Sequence, residues 1–200
     1  MTARIDHTVT SGTFSLDGQT YDVDNNVWVV GDDDECLVID APHDLEAILG
    51  LVGTRRVVAI ACTHGHDDHV RFAPDLGHAT GAPVLLHPAE LEVWHLTHDQ
   101  EPDGELADGN ELVVAGATLR VIATPGHSPG GVCLYAPDLG VLFTGDTLFN
   151  GGPGATGRSF SDRDLLVSSI RERLFVLPDE TVVLTGHGDD TTLGAERANV

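Results

Sequence analysis

The chain has 200 residues and is 41% hydrophobic, enough for a single globular domain, 1–200, with a substantial core. Its formal charge is -22, from 32 acids against 10 bases, and every base is an arginine because the sequence contains no lysine. A surface of that sign repels phosphate backbones, which argues against nucleic acid as a partner.

The opening MTARIDHTVTSGTF lacks an apolar leader, and no segment approaches the ~20 apolar residues needed to span a bilayer. A cytoplasmic protein without a membrane partner is therefore expected. SLDGQTY at 15–21 carries Asp17-Gly18, a hairpin signal, so the chain should open with two antiparallel strands. Short runs rich in Val, Ile and Leu then recur between turn residues: NVWVV, CLVID, VVAIAC, PVLLH, ELVVAG, TLRVIAT, GVCLYAP, GVLFTGD and TVVLTG. These read as strands. Helices are expected at 44–53, 89–96 and 161–177. In the last, Ser161 with Asp164 has the form of a capping box, Leu165, Leu166, Ile170, Leu174 and Leu177 mark one face, and Pro178 is the stop. The acidic stretch 97–109 reads as a solvated excursion. Cys36, Cys62 and Cys133 lie in apolar runs without CxxC spacing, which suits buried free thiols.

Chemistry concentrates after the strands. ACTHGHDDHVRF, residues 61–72, places His64, His66, Asp68 and His69 within six positions. Asp40 ends CLVID, His127 follows TLRVIAT, Asp146 ends GVLFTGD, and His187 follows TVVLTG. Loops at strand ends can converge on one rim, where these side chains would form a nitrogen and carboxylate cluster. In an extended loop His64 and His66 project to the same side. A helix starting near Asp67 would turn Asp68 and His69 toward a neighbouring point, so one stretch can serve two metals. Such ligands suit zinc, iron or manganese, and no cysteine stands at a ligand position. By chance, HxHxDH arises in about one shuffled chain of this composition in 300, which sets it apart from the other histidines. His7, His43, His78, His87, His95 and His98 share no pattern and read as surface or ordinary hydrogen-bonding residues.

Taken in order, VIDAP, THGHDDH, TPGHSPGG, FTGDTLF and TGHG resemble the five motifs of the metallo-β-lactamase fold superfamily, in its glyoxalase II-like branch, over about residues 20–190. The resemblance implies an α/β (α+β) fold, a four-layer αββα sandwich of two mixed sheets with the active site along one edge. Carried over to this chain, His64, His66 and His127 would bind a first divalent metal and Asp68, His69 and His187 a second. Asp146 would bridge them, and Asp40 would orient the ligand loop from behind. Zinc is the expected metal, with iron or manganese as alternatives. The implied reaction is attack of a metal-bound hydroxide on a thioester, or related ester, of a low-molecular-weight thiol, with Asp68 steering or receiving a proton. No serine-hydrolase GxSxG elbow is present. Glyoxalase II proper adds a C-terminal helical domain with basic residues for glutathione, whereas this chain stops 13 residues after His187, so the thiol carrier stays open. Arg158, the only base in NGGPGATGRSFSD at 150–162, is a candidate for holding a substrate carboxylate or amide at the mouth. The runner-up function is a persulfide dioxygenase, because those enzymes share this branch and use a single iron.

Overall fold

In the computed structural model, residues 3–200 are described. The Asp17-Gly18 turn does what its sequence predicts. Both residues have positive φ, at 55° and 72°, and they join β1 (Arg4–Leu16) to β2 (Gln19–Gly31) along 13 paired positions. β3 (Glu35–Ile39) adds antiparallel to β2, and helix α1 (Leu45–Val52) follows, capped by the Asp44 carboxylate on the Ala47 amide. β4 (Arg56–Ala61) lies parallel to β3. After α2 (Asp67–Val70) and α3 (Ala73–Thr80), β5 (Val84–Leu86) adds parallel to β4. A 3₁₀ turn leads into α4 (Leu91–Trp94), and β6 (Gly104–Glu105) closes the first sheet in the order β1-β2-β3-β4-β5-β6.

The second sheet holds β7 (Glu111–Val114), β8 (Ala117–Ala123), β9 (Val132–Ala136), β10 (Val141–Gly145), β13 (Val182–Thr185) and β14 (Thr191–Thr192), ordered β14-β13-β10-β9-β8-β7. β10 runs parallel to β13 and antiparallel to β9, so this sheet is mixed like the first. A small ribbon of β11 (Leu148–Phe149) and β12 (Gly152–Pro153) follows β10. α5 (Arg163–Ser169) continues as a π turn, Ile170–Leu174, and α6 (Leu193–Glu196) ends the helices.

Strand alternation explains the layering. In β2, Val27 and Val29 face the layer that contains Ile48, Val52, Leu76 and Trp94, while Trp28 and Val30 face Val121, Leu134 and Phe143 of the second sheet. The outer face of that second sheet, with Ile122, Cys133 and Leu142, packs on Leu166, Ile170 and Leu174. Three apolar layers thus separate four structural ones, in the order αββα. Sheets covered on both faces need apolar residues at every strand position, which is why NVWVV and VLF carry no polar alternation. Phe143, fully buried between the sheets, gains roughly 3 kcal/mol of transfer free energy there.

Each of the nine apolar runs forms a strand. The last helix differs from expectation at its start. Asp162, not Ser161, is the cap, its carboxylate accepting from the Leu165 amide at 3.0 Å, because the Ser161 hydroxyl is already donating to Arg158 O at 2.7 Å. Leu165 lies on the outside, 44% exposed, while Leu166, Ile170 and Leu174 form the buried face. The 97–109 stretch is also tied down more than its acidity suggests: β6 joins the sheet, Leu106 is fully buried, and the Asp103 carboxylate accepts the Val84 amide. α3 went unread because Pro74 and Gly77 mimic a loop, although proline is tolerated in a first helical turn. The three cysteines are free and buried. Among the described residues, no helix is long and apolar enough to cross a membrane.

Candidate metal centre

Five strand ends feed one rim. Asp40 follows β3, the 62–72 loop with α2 follows β4, His127 follows β8, Asp146 follows β10 and His187 follows β13. The structure brings all seven candidate ligands together. His66 Nδ1 lies 3.0 Å from His64 Nε2 and 3.1 Å from His127 Nε2. Asp68 Oδ2 is 3.3 Å from His187 Nε2 and 3.7 Å from His69 Nε2. Asp146 reaches both sets: Oδ1 is 3.2 Å from His69 Nε2, and Oδ2 is 3.4 Å from His187 Nε2 and 3.6 Å from His127 Nε2. The triads His64/His66/His127, His64/His69/Asp146 and Asp68/His69/His187 each hold donor atoms within 4.8 Å of one another, and each could hold a metal ion. Gly186 permits this convergence, since a Cβ there would stand 2.4 Å from Asp146 Oδ1 and 2.8 Å from the His69 ring.

The far side of each ring decides what the near side presents. The Thr63 hydroxyl donates its one proton to Asp40 Oδ2 at 2.8 Å, so at 3.0 Å it accepts from His64 Nδ1, and His64 Nε2 is left as a bare lone pair. His69 Nδ1 donates to the same Asp40 oxygen at 2.8 Å, His127 Nδ1 to Ala155 O at 2.8 Å and His187 Nδ1 to Asp24 O at 2.7 Å. Four rings are thereby oriented with Nε2 inward; on His69 and His187 that nitrogen faces the carboxylates and gives up its proton when a metal ion takes its place. His66 Nδ1 confronts two of those lone pairs and can donate to only one of them. Asp146 Oδ1 is buried with no hydrogen bond. Ring nitrogens and carboxylate oxygens crowded face to face in this way are satisfied by cations, so the donor set fits metal ions.

The electrostatics divide the cluster. Burial, reinforced by neighbouring imidazoles, drives His64 well below the ordinary histidine range and His66 down to about 3. Burial also opposes charge on His69 and His187, but the carboxylates overcome it. Asp146 and Asp68 hold His69 well above its usual value, and Asp146 lifts His187 to about 10. Those imidazoles in turn keep Asp68 and Asp146 ionised against the cost of burial.

Asn25 was missed from sequence. Fully buried in β2, it donates from Nδ2 to Asp68 Oδ2 at 3.1 Å, and its Oδ1 accepts from His43 Nε2 at 2.7 Å. The available signal was VDNNVWVV, since asparagine is disfavoured inside a strand. His43 therefore has a hydrogen-bonding role one step behind the cluster.

A cleft of about 410 Å³ opens over the cluster. Phe14, Val23 and Phe149 give it apolar walls, and Arg158 stands at its mouth. The Arg158 guanidinium stacks 4.6 Å from the Tyr21 ring and 5.1 Å from that of Phe14. Its loop is latched to the β1-β2 turn, where Ser159 donates to both Asp17 oxygens, at 3.0 and 2.6 Å. A larger groove of about 610 Å³ lies beside α3, between Pro74, His78, Trp94 and Pro102. It contains none of the cluster residues, so the chemistry belongs to the smaller cleft.

A two-sheet sandwich flanked by helices here carries, along one rim, imidazoles and carboxylates that could hold metal ions. The chain belongs to the metallo-beta-lactamase superfamily, whose model matches residues 20–187. A protein of Aquifex aeolicus is 35% identical over 187 residues, covering 86% of this chain and 89% of that one. The probable metallo-hydrolase YqgX of Bacillus subtilis is 31% identical over 188 residues, with the same coverage of 86% and 89%. Among solved structures, the BLEG-1 B3 metallo-beta-lactamase superposes with a TM-score of 0.79 at 29% identity, covering 93% of this chain and 95% of that one. TTHA1623 in a di-iron-bound form gives 0.76 at 34% identity, covering 88% and 94%.

Proposed function

We propose that the protein is a dinuclear metal-dependent hydrolase of glyoxalase II-like type that cleaves the thioester of a low-molecular-weight thiol. The observation that carries this reading is the set of inward ring nitrogens, four of them oriented from behind, split into two groups with Asp146 between them. His64, His66 and His127 would hold one ion, Asp68, His69 and His187 the other, and Asp146 would touch both. Two divalent ions in those positions supply a water acidified toward neutral pH and Lewis acidity for the acyl oxygen.

The remaining tasks fall to the chain. Asp68 lines the cleft, its Oδ2 3.3 Å from His187 Nε2, and would orient the attacking water and take its proton. Phe14, Val23 and Phe149 exclude water from the acyl group and suit a thioester better than a strongly hydrated ester. Arg158, held over two aromatic rings, would offer guanidinium N–H groups to a carboxylate or amide on the substrate. The metallo-hydrolase name of the Bacillus subtilis relative and the two irons of TTHA1623 agree with this reading, and the latter puts iron beside zinc as a candidate metal.

The test is metal analysis of the purified protein beside an activity panel of thioesters and thiol persulfides. Two metals per chain and thioester turnover are expected, and His69→Ala should keep one metal while losing at least about 100-fold in rate. One iron per chain in both wild type and variant, with oxygen uptake on a persulfide, would replace the hydrolase with the dioxygenase.

A further inference from the structure

Glu90 is the most deeply buried carboxylate outside the metal cluster, with no exposure at all. It closes the 3₁₀ turn Pro88–Glu90, and among the described residues it takes part in no ion pair with an arginine or histidine. Its two oxygens go to two different loops. Oε2 accepts the Gly65 amide at 2.8 Å, and Oε1 accepts the Gly130 amide at 2.5 Å. Gly65 lies between His64 and His66, and Gly130 lies three residues beyond His127. Close approach of the second loop requires glycine, because a Cβ on Gly130 would stand 2.4 Å from His87 Nδ1.

A buried carboxylate without a cation is costly, and an apolar residue would serve packing better. What the carboxylate alone supplies is two acceptors at a fixed separation, each taking an N–H from a different segment. We infer that Glu90 is a positioning residue that fastens the His64–His66 loop to the His127 loop and so sets the spacing of the three-histidine site. The inference rests on the metal-site reading above. Glutamine cannot replace it, since its amide NH₂ would face one of the two glycine N–H groups. Aspartate, one methylene shorter, reaches only one of them.

The test uses full-length protein and Zn(II) titrated against a chromophoric chelator, with amide hydrogen exchange on the same samples. In Glu90→Gln, affinity at one zinc site should fall at least about tenfold while the other stays within about threefold, and whichever of the Gly65 and Gly130 amides faces the new NH₂ should exchange faster. Glu90→Asp should behave likewise. A purely structural residue would weaken both sites together. Wild-type protein supplies the check that needs no variant: couplings across the hydrogen bonds from the Gly65 and Gly130 nitrogens to the Glu90 carboxyl carbon should be measurable. Folded Glu90→Gln with both zinc affinities and both exchange rates unchanged overturns the inference, and so does absence of the couplings. Failure of wild type to bind Zn(II) overturns the functional reading instead, while the couplings still report whether the clamp exists.

Discussion

Asp40→Asn changes one oxygen for an NH₂ group, yet its effect should reach both metal positions. Asp40 Oδ1 accepts the Thr63 amide at 2.7 Å, while Oδ2 accepts both the Thr63 hydroxyl and His69 Nδ1 at 2.8 Å. An asparagine would keep its oxygen on the Thr63 amide, so its NH₂ would point at the hydroxyl and at His69. His69 would have to accept at Nδ1, which leaves its last proton on Nε2, where a metal ion would bind. The Thr63 hydroxyl would turn to donate to His64 Nδ1, with the same consequence for His64 Nε2. Mutating such outer partners of ligating histidines costs roughly 10- to 100-fold in metal affinity, and with two rings affected here about 10²-fold is expected. Zn(II) competition titration measures the affinity, and long-range ¹H–¹⁵N spectra of the imidazoles report the tautomers. The fold should hold, because the isosteric side chain fills the same space. Wild-type affinity, or His64 and His69 retaining Nδ1–H in the variant, would refute the tautomer argument.

Stability of the metal-free protein should peak near pH 6.5, the unfolded histidine value. His69 and His187 are raised, His187 to about 10, so their contribution is complete below pH 6.5 and is lost as pH climbs toward 10. His64 and His66 are depressed, His66 to about 3, so the unfolded chain takes up their protons first and stability also falls below pH 6.5. Chemical denaturation after chelation from pH 5 to 9 checks this, and a monotonic profile would contradict the pKa pattern. Asp146→Asn should reduce metal occupancy at both positions, since one oxygen ligand and one charge vanish between them; two tightly held metals by mass spectrometry would remove Asp146 from the bridge. Arg158→Gln should raise KM about tenfold for thioesters bearing a carboxylate and leave kcat within about twofold, while uncharged thioesters are unaffected. Equal effects on both substrate types would assign Arg158 to loop structure alone.

The sequence by itself determined the strands and the identity of the clustered residues. Apolar runs cannot be solvated, so NVWVV, VVAIAC and VLF had to be buried strands, and Asp17-Gly18 permits the positive φ that a tight hairpin needs. His64, His66, Asp68 and His69 were legible because their spacing is local, and Asp40, His127, Asp146 and His187 because each follows its own strand. Only the tertiary structure decided the rest. Which nitrogen of each histidine faces inward depends on a Thr63 hydroxyl, an Asp40 carboxylate and the carbonyls of Ala155 and Asp24, partners that lie up to 163 positions away. Asn25 and Glu90 carry no local motif, and their roles follow from donors supplied by segments that meet only after the two sheets pack. Arg158 faces the cleft because Asp17, at the far end of the chain, anchors its loop. A periodic pattern records burial, which each residue satisfies with its own side chain. A hydrogen-bond network records pairings between distant segments, and no single segment encodes them.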